Sequence, residues 1–361
     1  MKACVYYRPG KISLEDLPKP ELNPEDVLIR VEACGICGSD LHLLRPPSNT
    51  VKRLKLLVRN MLTKPHKVIL GHEISGYVEE LGEKVKTGAP VNIGDRVTIY
   101  PNITCGLCDF CRIGYENMCA SSKAVGRELH GGFAEYVVVP HKNIMKLPTN
   151  LSFEEGALIE PLGCALHAVK NTNILSEKIK TSVILGAGTM GLLILQLLRT
   201  ETEVENVVMT DIYDFKLRLA EELGATMTFN ARHVNVSEEI KRKFPSVDAV
   251  FECVGGHAAI ETLHQAIRVV KPRGKICLVG ALTTAVRLRL GEVHSKEITI
   301  VSSYASTYKD QLEALTLAAK RKIQLKPLIT HRFPLARIRE AFREALKGTS
   351  IKVVIYPHQA M

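Results

Sequence analysis

A glycine-rich turn set between an apolar strand and an apolar helix constrains the fold of this chain more than any other segment. Residues 181–185 form a run of strand-forming residues, and residues 192–198 are almost all leucine or isoleucine. Between them the chain reads Gly-Ala-Gly-Thr-Met-Gly over 186–191. A tight turn that joins a buried strand to a helix in this way predicts a parallel sheet covered by helices.

Each glycine of this turn has its own structural reason. Gly186 permits the tight turn, Gly188 lets the backbone approach a pyrophosphate, and Gly191 permits close packing of the helix on the strand. The helix N-terminus then faces the anion. A further predicted strand over 206–210 ends at Asp211, 20 residues past Gly191, where a carboxylate can bind a ribose 2′-hydroxyl. The spacing predicts a dinucleotide site.

The carboxylate of Asp211 also bears on the choice of dinucleotide. Its charge would repel a 2′-phosphate, so NAD is favoured over NADP, while Lys216 and Arg218 are interpreted as the outer face of the next helix. Strand and helix alternate further through 247–252 and 275–280, whose glycine-rich ends lie where a nicotinamide would rest. The predicted cofactor-binding residues are Gly186, Gly188, Met190, Gly191, Asp211 and Val254.

Four closely spaced cysteines predict a metal-stapled loop. They are Cys105, Cys108, Cys111 and Cys119. Four thiolates at this spacing suit a closed tetrahedral zinc site with a structural role. An iron–sulfur cluster is the rival interpretation, but the longer interval before Cys119, with no proline after it, fits the ferredoxin pattern poorly.

A second set of possible metal ligands is spread along the chain. Cys37, His72, Glu73 and Glu160 offer a thiolate, an imidazole and carboxylates, which are ligand types that zinc accepts. Three protein ligands and one open position make a catalytic zinc site. Much of the sequence around them alternates apolar and polar residues between proline and glycine breaks, which predicts a β-rich domain.

Together these motifs resemble the zinc-dependent medium-chain alcohol and polyol dehydrogenases over essentially the full length. The resemblance implies an α/β protein with a GroES-like β-rich catalytic domain, residues 1–155 and 297–361, that carries a structural zinc lobe at about 100–120. It implies a Rossmann domain with a doubly wound parallel sheet for NAD over 156–296. It also implies two zinc ions per subunit and a homotetramer or homodimer.

The resemblance assigns the catalytic zinc to Cys37, His72 and Glu160. Glu73 stays open between two roles. It is either a direct ligand, with Glu160 acting through a water, or a carboxylate beside the ligands that tunes the metal.

The implied reaction is oxidation of an alcohol to a ketone. Zinc lowers the pKa of the substrate hydroxyl, and hydride passes to the nicotinamide. Ser39 and His42 match the family's hydroxyl and imidazole positions for carrying the proton away. The alternative for His42 is an exposed loop histidine.

The predicted substrate is a polyol, sugar or cyclitol, because Glu160-Pro161-Leu162 resembles the sorbitol dehydrogenase branch. Ser303-Tyr304 stands where polyol enzymes carry Arg-Tyr, which leaves cyclitols, amino-sugar alcohols, sugar aldehydes and threonine open. The alternative enzyme is an L-threonine 3-dehydrogenase or another small-alcohol dehydrogenase. The alternative of another class is a zinc-containing protein that senses NAD or binds nucleic acid or an acidic partner.

The net charge of +10 is concentrated in one segment. Seven lysines and arginines and no acid lie between Asp40 and Glu73, and residues 50–63 predict an amphipathic helix inside a basic insertion at about 45–67. It is interpreted as a solvated helix, a lid over the zinc cleft, or a site for an anionic substrate or partner. No nucleic-acid-binding signature accompanies it, and tryptophan is absent, so nucleic acid is not the predicted partner.

Location follows from the apolar runs and the cysteines. No apolar run approaches the roughly 18 residues of a membrane span, and the first residues lack a signal-peptide pattern. These features predict a cytoplasmic protein whose ten cysteines are thiols or metal ligands.

Overall fold

A computed structural model describes residues 1–44, 67–86, 91–283 and 285–359. The amphipathic helix predicted over 50–63 lies outside the described residues, as does the basic insertion apart from Lys67.

Strands make up much of the described chain. They are β1 (Lys2–Arg8), β2 (Lys11–Asp16), β3 (Asp26–Gly35), β4 (Val68–Ile69), β5 (Glu73–Leu81), β6 (Arg96–Ile99), β7 (Asn102–Ile103), β8 (Lys123–Ala124), β9 (Tyr136–Pro140), β10 (Ile144–Lys146), β11 (Thr181–Leu185), β12 (Asn206–Asp211), β13 (Met227–Asn230), β14 (Val247–Glu252), β15 (Val270–Leu278), β16 (Thr299–Ser302), β17 (Ile329–Pro334) and β18 (Lys352–Tyr356).

The helices are concentrated in the second half of the chain. They are α1 (Gly38–Leu44), α2 (Glu83–Lys86), α3 (Asp109–Arg112), α4 (Phe153–Ala157), α5 (Ile159–Asn171), α6 (Thr189–Glu201), α7 (Asp214–Glu222), α8 (Val236–Lys243), α9 (Ala259–Val269), α10 (Leu290–Ser295), α11 (Tyr308–Ala319) and α12 (Ile338–Lys347). None of the helices that the structure describes is both long and apolar enough to span a bilayer.

The chain divides into two compact units. The first contains Met1–Glu160 and Ile329–Met361, and the second contains Pro161–Leu328. The predicted division, with a coenzyme domain over 156–296, stays a prediction. The second unit extends past residue 296 because β16 joins its sheet and α11 follows it.

The first unit is built around a seven-stranded sheet. Its order is β10-β6-β5-β3-β18-β17, and β9 also pairs with β3. Strands β3 and β5 are antiparallel, with Gly35 opposite Glu73. Strand β18 closes against β3, and four of its five residues are buried because it lies between two other strands. The sheet therefore brings together segments from residues 35, 73 and 352.

The second unit is a six-stranded parallel sheet. Its order is β13-β12-β11-β14-β15-β16, and every neighbouring pair is parallel. The sheet starts at β11 and grows first toward one edge and then toward the other, so the order reverses between β11 and β14. Such a reversal opens a crevice at the carboxyl ends of the strands, where ligands bind. The predicted doubly wound parallel sheet is confirmed.

Candidate zinc and nucleotide sites

Three of the predicted metal ligands meet at one point of the first unit. Ligand atoms of Cys37, His72 and Glu73 all lie within 4.8 Å of one another. Cys37 follows β3 and precedes α1, while His72 and Glu73 stand where β5 begins. Because β3 and β5 are paired with Gly35 opposite Glu73, the sheet register itself brings these side chains together.

A buried aspartate links two of these ligands. The side chain of Asp40 is almost fully buried and accepts a hydrogen bond from the Cys37 backbone N–H at 3.0 Å. Its other oxygen lies 3.6 Å from Nδ1 of His72. Burial alone would lower the pKa of His72, but Asp40 and the Cys37 thiolate outweigh that effect and raise the pKa well above its usual value. Asp40 thus fixes the loop that carries Cys37.

A buried lysine neutralises the carboxylate of Glu73. Lys352 Nζ lies 2.7 Å from each carboxylate oxygen of Glu73 and 3.2 Å from the Ile36 carbonyl oxygen. Both side chains are almost completely buried. Burial alone would lower the pKa of Lys352, but Glu73 and Cys37 raise it, so the lysine stays protonated. Lys352 was not among the predicted site residues, although a single charge in the apolar run 351–355 was a visible signal.

The other predicted residues of this site lie on two helices. Glu160 is the second residue of α5 and is 8% exposed. It stands outside the compact group of three, although it is close enough to Lys352 to raise the pKa of the lysine. Ser39 and His42 both lie in α1, with Ser39 exposed and His42 half-buried.

The four cysteines of the lobe form a second compact group. All four sulfur atoms lie within 4.8 Å of one another, with Sγ–Sγ distances of 3.4 Å for Cys108–Cys111, 3.5 Å for Cys105–Cys119 and 3.9 Å for Cys105–Cys111. Four sulfurs at tetrahedral corners about 2.3 Å from a zinc ion stand about 3.8 Å apart, so the cage fits that metal.

The backbone prepares this cage to bind a cation. The N–H groups of Leu107 and Cys108 point at the sulfur of Cys105 and lower its pKa to about 6, which favours the thiolate. All ten cysteines of the chain are among the described residues, and none of them forms a disulfide. The lobe is therefore closed by its sulfur cluster rather than by a covalent bridge.

The predicted glycine turn lies between β11 and α6. Gly186 has a φ of +105°, and a Cβ there would come within 2.9 Å of the Val254 side chain. A Cβ on Gly191 would lie 1.9 Å from the Gly186 carbonyl oxygen, so only glycine permits this helix to pack so closely. A Cβ on Gly188 would meet nothing within 4 Å, which leaves open space at the N-terminus of α6. Met190 is half-buried in the first turn of that helix, beside this space.

Asp211 ends β12 and is held by the neighbouring backbone. It accepts hydrogen bonds from the N–H groups of Ala187, Ile212 and Tyr213 at 2.8, 2.7 and 3.0 Å. Lys216 is only 7% exposed, so its interpretation as part of the outer helix face was wrong. Burial lowers the pKa of Lys216, and the nearby Asp211 carboxylate partly opposes that shift.

Comparison with family models identifies both halves of the chain. Residues 23–149 match the alcohol dehydrogenase GroES-like domain, and residues 189–320 match the zinc-binding dehydrogenase domain.

Curated relatives match along nearly the whole chain. L-idonate 5-dehydrogenase of Vitis vinifera is 34% identical, over 93% of this chain and 89% of that protein. Sorbitol dehydrogenase of Bacillus subtilis is 32% identical, over 99% and 98%. L-threonine 3-dehydrogenase of Paraburkholderia xenovorans is 32% identical, over 96% of both.

Several solved structures are similar to this protein over nearly its whole length. A candidate zinc-binding dehydrogenase from Sinorhizobium meliloti, bound to NADP, has a TM-score of 0.86 and 34% identity and covers 99% of both chains. Galactitol-1-phosphate dehydrogenase from Escherichia coli has a TM-score of 0.84 and 29% identity, over 99% of this chain and 100% of that one. An Escherichia coli alcohol dehydrogenase complexed with NADH has a TM-score of 0.85 and 26% identity, over 99% of both.

The chain belongs to the zinc-dependent medium-chain alcohol and polyol dehydrogenase family. It is an oxidoreductase of the zinc- and nicotinamide-dependent kind. The predicted fold, a GroES-like domain with a Rossmann domain, is confirmed by the two model matches and by the parallel sheet.

Proposed function

We propose that this protein oxidises a secondary alcohol of a polyol, sugar or cyclitol to the ketone, with NAD⁺ as the hydride acceptor. The grouping of Cys37, His72 and Glu73 carries the proposal, because it offers one ligand of each type that a catalytic zinc accepts. The sorbitol, L-idonate and galactitol-1-phosphate dehydrogenases among the relatives support a polyol substrate.

The geometry supports Glu73 as a direct ligand and Glu160 as a neighbour acting through water, because Glu73 lies in the compact group with Cys37 and His72 and Glu160 lies outside it. A carboxylate has enough lone pairs to accept from Lys352 and to bind a metal as well. Lys352 offsets one of the negative charges of this group, whose members are the thiolate of Cys37 and the carboxylates of Asp40, Glu73 and Glu160. Zinc bound here supplies a Lewis acid that makes the substrate hydroxyl more acidic.

Side chains of this protein then carry the proton of the substrate hydroxyl to water. In this proposal the hydroxyl of Ser39 accepts the substrate proton and passes it to the imidazole of His42, which releases it to water. Histidine suits that role because its ordinary pKa lies near 6.5. The substrate must reach the exposed side of α1, where Ser39 is accessible.

Asp211 supports NAD as the dinucleotide. Its carboxylate would repel a 2′-phosphate, although Lys216 beside it reduces that repulsion. Asp211→Ser should raise the KM for NAD⁺ and lower the KM for NADP⁺. An unchanged preference would remove the role given to Asp211.

The first experiment follows NADH formation by the purified protein with polyols, polyol phosphates, cyclitols, threonine and simple alcohols. Each hit is repeated with NADP⁺ and after zinc removal and restoration. Turnover of one alcohol class that needs zinc supports the proposal. Turnover that survives loss of the catalytic zinc contradicts the roles of Cys37, His72 and Glu73.

The two candidate carboxylate ligands can be separated by metal content. Glu73→Gln should release the catalytic zinc while the lobe keeps its own, leaving one zinc per chain. Glu160→Gln should keep both ions and lose activity only in part. The reverse result would assign the direct ligand to Glu160.

L-threonine 3-dehydrogenase is the second candidate, favoured by the relative of that name and by Ser303-Tyr304. The same substrate panel decides between the two. A protein that binds zinc and NADH but turns over no alcohol would instead support an NAD sensor. Binding to nucleic acid through the +10 charge would fall steeply with added salt, unlike turnover of a neutral polyol.

Assembly as a homotetramer or homodimer and a cytoplasmic location stay part of the proposal.

A further inference from the structure

Glu252 is a fully buried carboxylate at the carboxyl edge of the parallel sheet. It is the last residue of β14 and has no exposed surface. Strand β14 borders the point where the strand order reverses, and the glycine turn of 186–191 lies on the neighbouring strand β11. A buried charge is expensive unless it is hydrogen-bonded, so its partners indicate why it is there.

The side chain of Glu252 holds the turn that follows its own strand. Its carboxylate accepts hydrogen bonds from the N–H groups of Val254 and Gly255 at 3.0 and 3.2 Å. The hydroxyl of Thr262, on α9, donates to the same oxygen at 2.8 Å. These partners are neutral dipoles, so the carboxylate ties together a turn and a helix rather than balancing a cation.

The same residue also holds the turn that follows the next strand. The carbonyl oxygen of Glu252 accepts from the N–H groups of Val279 and Gly280 at 2.9 and 2.8 Å. The two turns are joined directly as well, since Gly256 N–H donates to the Ala281 carbonyl oxygen at 2.8 Å. Glu252 is therefore the common partner of both turns.

Glycine is required where the turns approach each other. A Cβ on Gly280 would lie 2.4 Å from the Gly255 nitrogen and 2.8 Å from a Glu252 carboxylate oxygen. Gly255 itself has a φ of +66°, and a Cβ there would lie 2.9 Å from the Ala281 nitrogen. The two backbones and the Glu252 carboxylate thus leave no room for a Cβ on Gly280, and the backbone of the other turn leaves none for a Cβ on Gly255.

We propose that Glu252 is a positioning residue that holds the turns after β14 and β15 in the shape that receives the nicotinamide end of the dinucleotide. The inference rests on the proposed function, which puts the nicotinamide at these carboxyl ends. Val254, the predicted cofactor-binding residue of the first turn, is 43% exposed and is oriented through its own N–H bond to Glu252. The ADP-ribose part is served by other residues in this proposal, the turn of 186–191 at the pyrophosphate and Asp211 at the adenosine ribose.

Because Glu252 holds only the turns at the nicotinamide end, Glu252→Gln should weaken the binding of NADH without weakening that of a ligand that lacks the nicotinamide. Glutamine keeps the shape and can place its carbonyl oxygen where Oε1 accepts from the turn and from Thr262, but it removes the negative charge, and its NH₂ group then faces the Gly255 N–H, which lies 3.4 Å from Oε2. The dissociation constant for NADH should rise roughly tenfold, as expected for losing hydrogen bonds to a charged group. The dissociation constant for ADP-ribose, which lacks the nicotinamide, should stay within about twofold of the wild-type value. Both are measured by calorimetry, and NADH also by its fluorescence.

Asp248 offers a control at the opposite end of the same strand. Its carboxylate also accepts from two backbone N–H groups, those of Lys180 and Thr181, both at 2.9 Å, and unlike Glu252 it also pairs with a cation, Lys271. Asp248→Asn should lower thermal stability while leaving the ratio of the NADH and ADP-ribose affinities unchanged. A ratio that changes equally in both variants would overturn the positioning role, because general loosening of the sheet would then explain it.

Thr262→Val keeps the test valid if Glu252→Gln does not fold. Removing this one donor should weaken NADH binding about threefold and leave ADP-ribose unaffected. NADH affinities of either variant equal to wild type would overturn the inference while leaving the proposed function intact. Failure of the wild-type protein itself to bind NADH would overturn the proposed function and the inference with it.

Discussion

Among single residues, Lys352 has the greatest consequence for the metal group. Its ammonium and the Glu73 carboxylate are both withdrawn from water, and each is stable there only because of the other. The pair also sets the charge that a metal would meet. Without the lysine, the ligands and Glu160 would carry one negative charge more than a zinc ion balances.

Lys352→Met should therefore be strongly destabilising. It removes the ammonium that accompanies the buried Glu73 carboxylate, and breaking one half of a buried pair costs about 3–5 kcal/mol. The measurement is the free energy of unfolding from urea titrations of the zinc-loaded protein. Lys347→Met is the control, because Lys347 pairs with Glu344 at 2.7 Å but is 63% exposed, and its loss should cost less than about 1 kcal/mol. Equal losses in the two variants would contradict the importance given to burial.

Sequence spacing predicted some residues of the sites and could not predict others. The cysteines of the lobe and Gly186 to Asp211 lie within short segments, where spacing alone fixes what they can hold. The contact between Lys352 and Glu73 joins residues 279 positions apart and depends on which strands pair. Lys216 was misread because helical periodicity shows which positions share a face but not which neighbours cover that face.

At the scale of elements, the cysteine lobe is a loop closed by four sulfur atoms. Between Cys105 and Cys119 its only regular pieces are α3, a single turn, and a 3₁₀ segment over Glu116–Met118. Leu107, Phe110 and Ile113 are largely exposed, so the lobe has little apolar core of its own. A bound metal must supply most of its order.

Cys108→Ser should remove one zinc per chain and open the lobe. Three thiolates hold the ion less tightly than four, and the freed loop should be cut within 105–119 about tenfold faster by a protease. Metal analysis and mass spectrometry of the fragments measure both effects. Cys164→Ser, a change in α5 outside both metal groups, should keep two zinc ions and the wild-type cleavage rate. Full zinc content in Cys108→Ser would show that the lobe does not hold the ion through all four sulfurs.

The carboxylate of Asp310 connects the N-terminus of α11 to α5 by hydrogen bonds. Asp310 accepts from His167 at 2.7 Å and Lys170 at 2.9 Å, and it completes a capping box with Thr307. Burial alone would raise the pKa of Asp310, but these hydrogen bonds outweigh it and hold the pKa well below its usual value. The stabilisation is therefore complete above the unfolded pKa of about 3.9 and is lost as the pH falls through the lower folded value.

Asp310→Asn should cost about 2 kcal/mol at neutral pH. The difference from wild type should stay constant between pH 8 and pH 5 and shrink only below about pH 4, as measured by urea unfolding at each pH. Asp214→Asn, in the first turn of α7, changes an exposed aspartate and should cost less than about 1 kcal/mol. A difference that already shrinks above pH 5 would show that another group controls the interaction.

The helix after the glycine turn could be predicted from local residues, because its apolar run and the glycines before it lie in one short segment. It is observed as Thr189–Glu201. The residue at which one compact unit ends cannot be predicted from the residues around it alone. Strand β16 is short and follows a loop, and only its pairing with β15 assigns it to the parallel sheet.

For the whole molecule, the two kinds of ligand should act on separate parts of the chain. NADH at 100 times its dissociation constant should stabilise the binding region by about 2.7 kcal/mol. Hydrogen exchange should then slow within 181–191 and 252–256. Zinc removal should speed exchange within 105–119 and at the ends of β3 and β5. Equal changes along the whole chain would show that the two units unfold together.

The first unit is assembled from two segments that flank the second. Residues 161–328 must therefore be synthesised before Ile329–Met361 can complete the sheet of the first unit, whereas the second unit is one continuous stretch. The parallel sheet can form while the ribosome is still translating, but β3 must wait for β18. Until then Glu73 lacks the ammonium of Lys352. The nascent protein thus acquires its dinucleotide-binding half first, and its metal group receives this lysine only when strand β18 arrives.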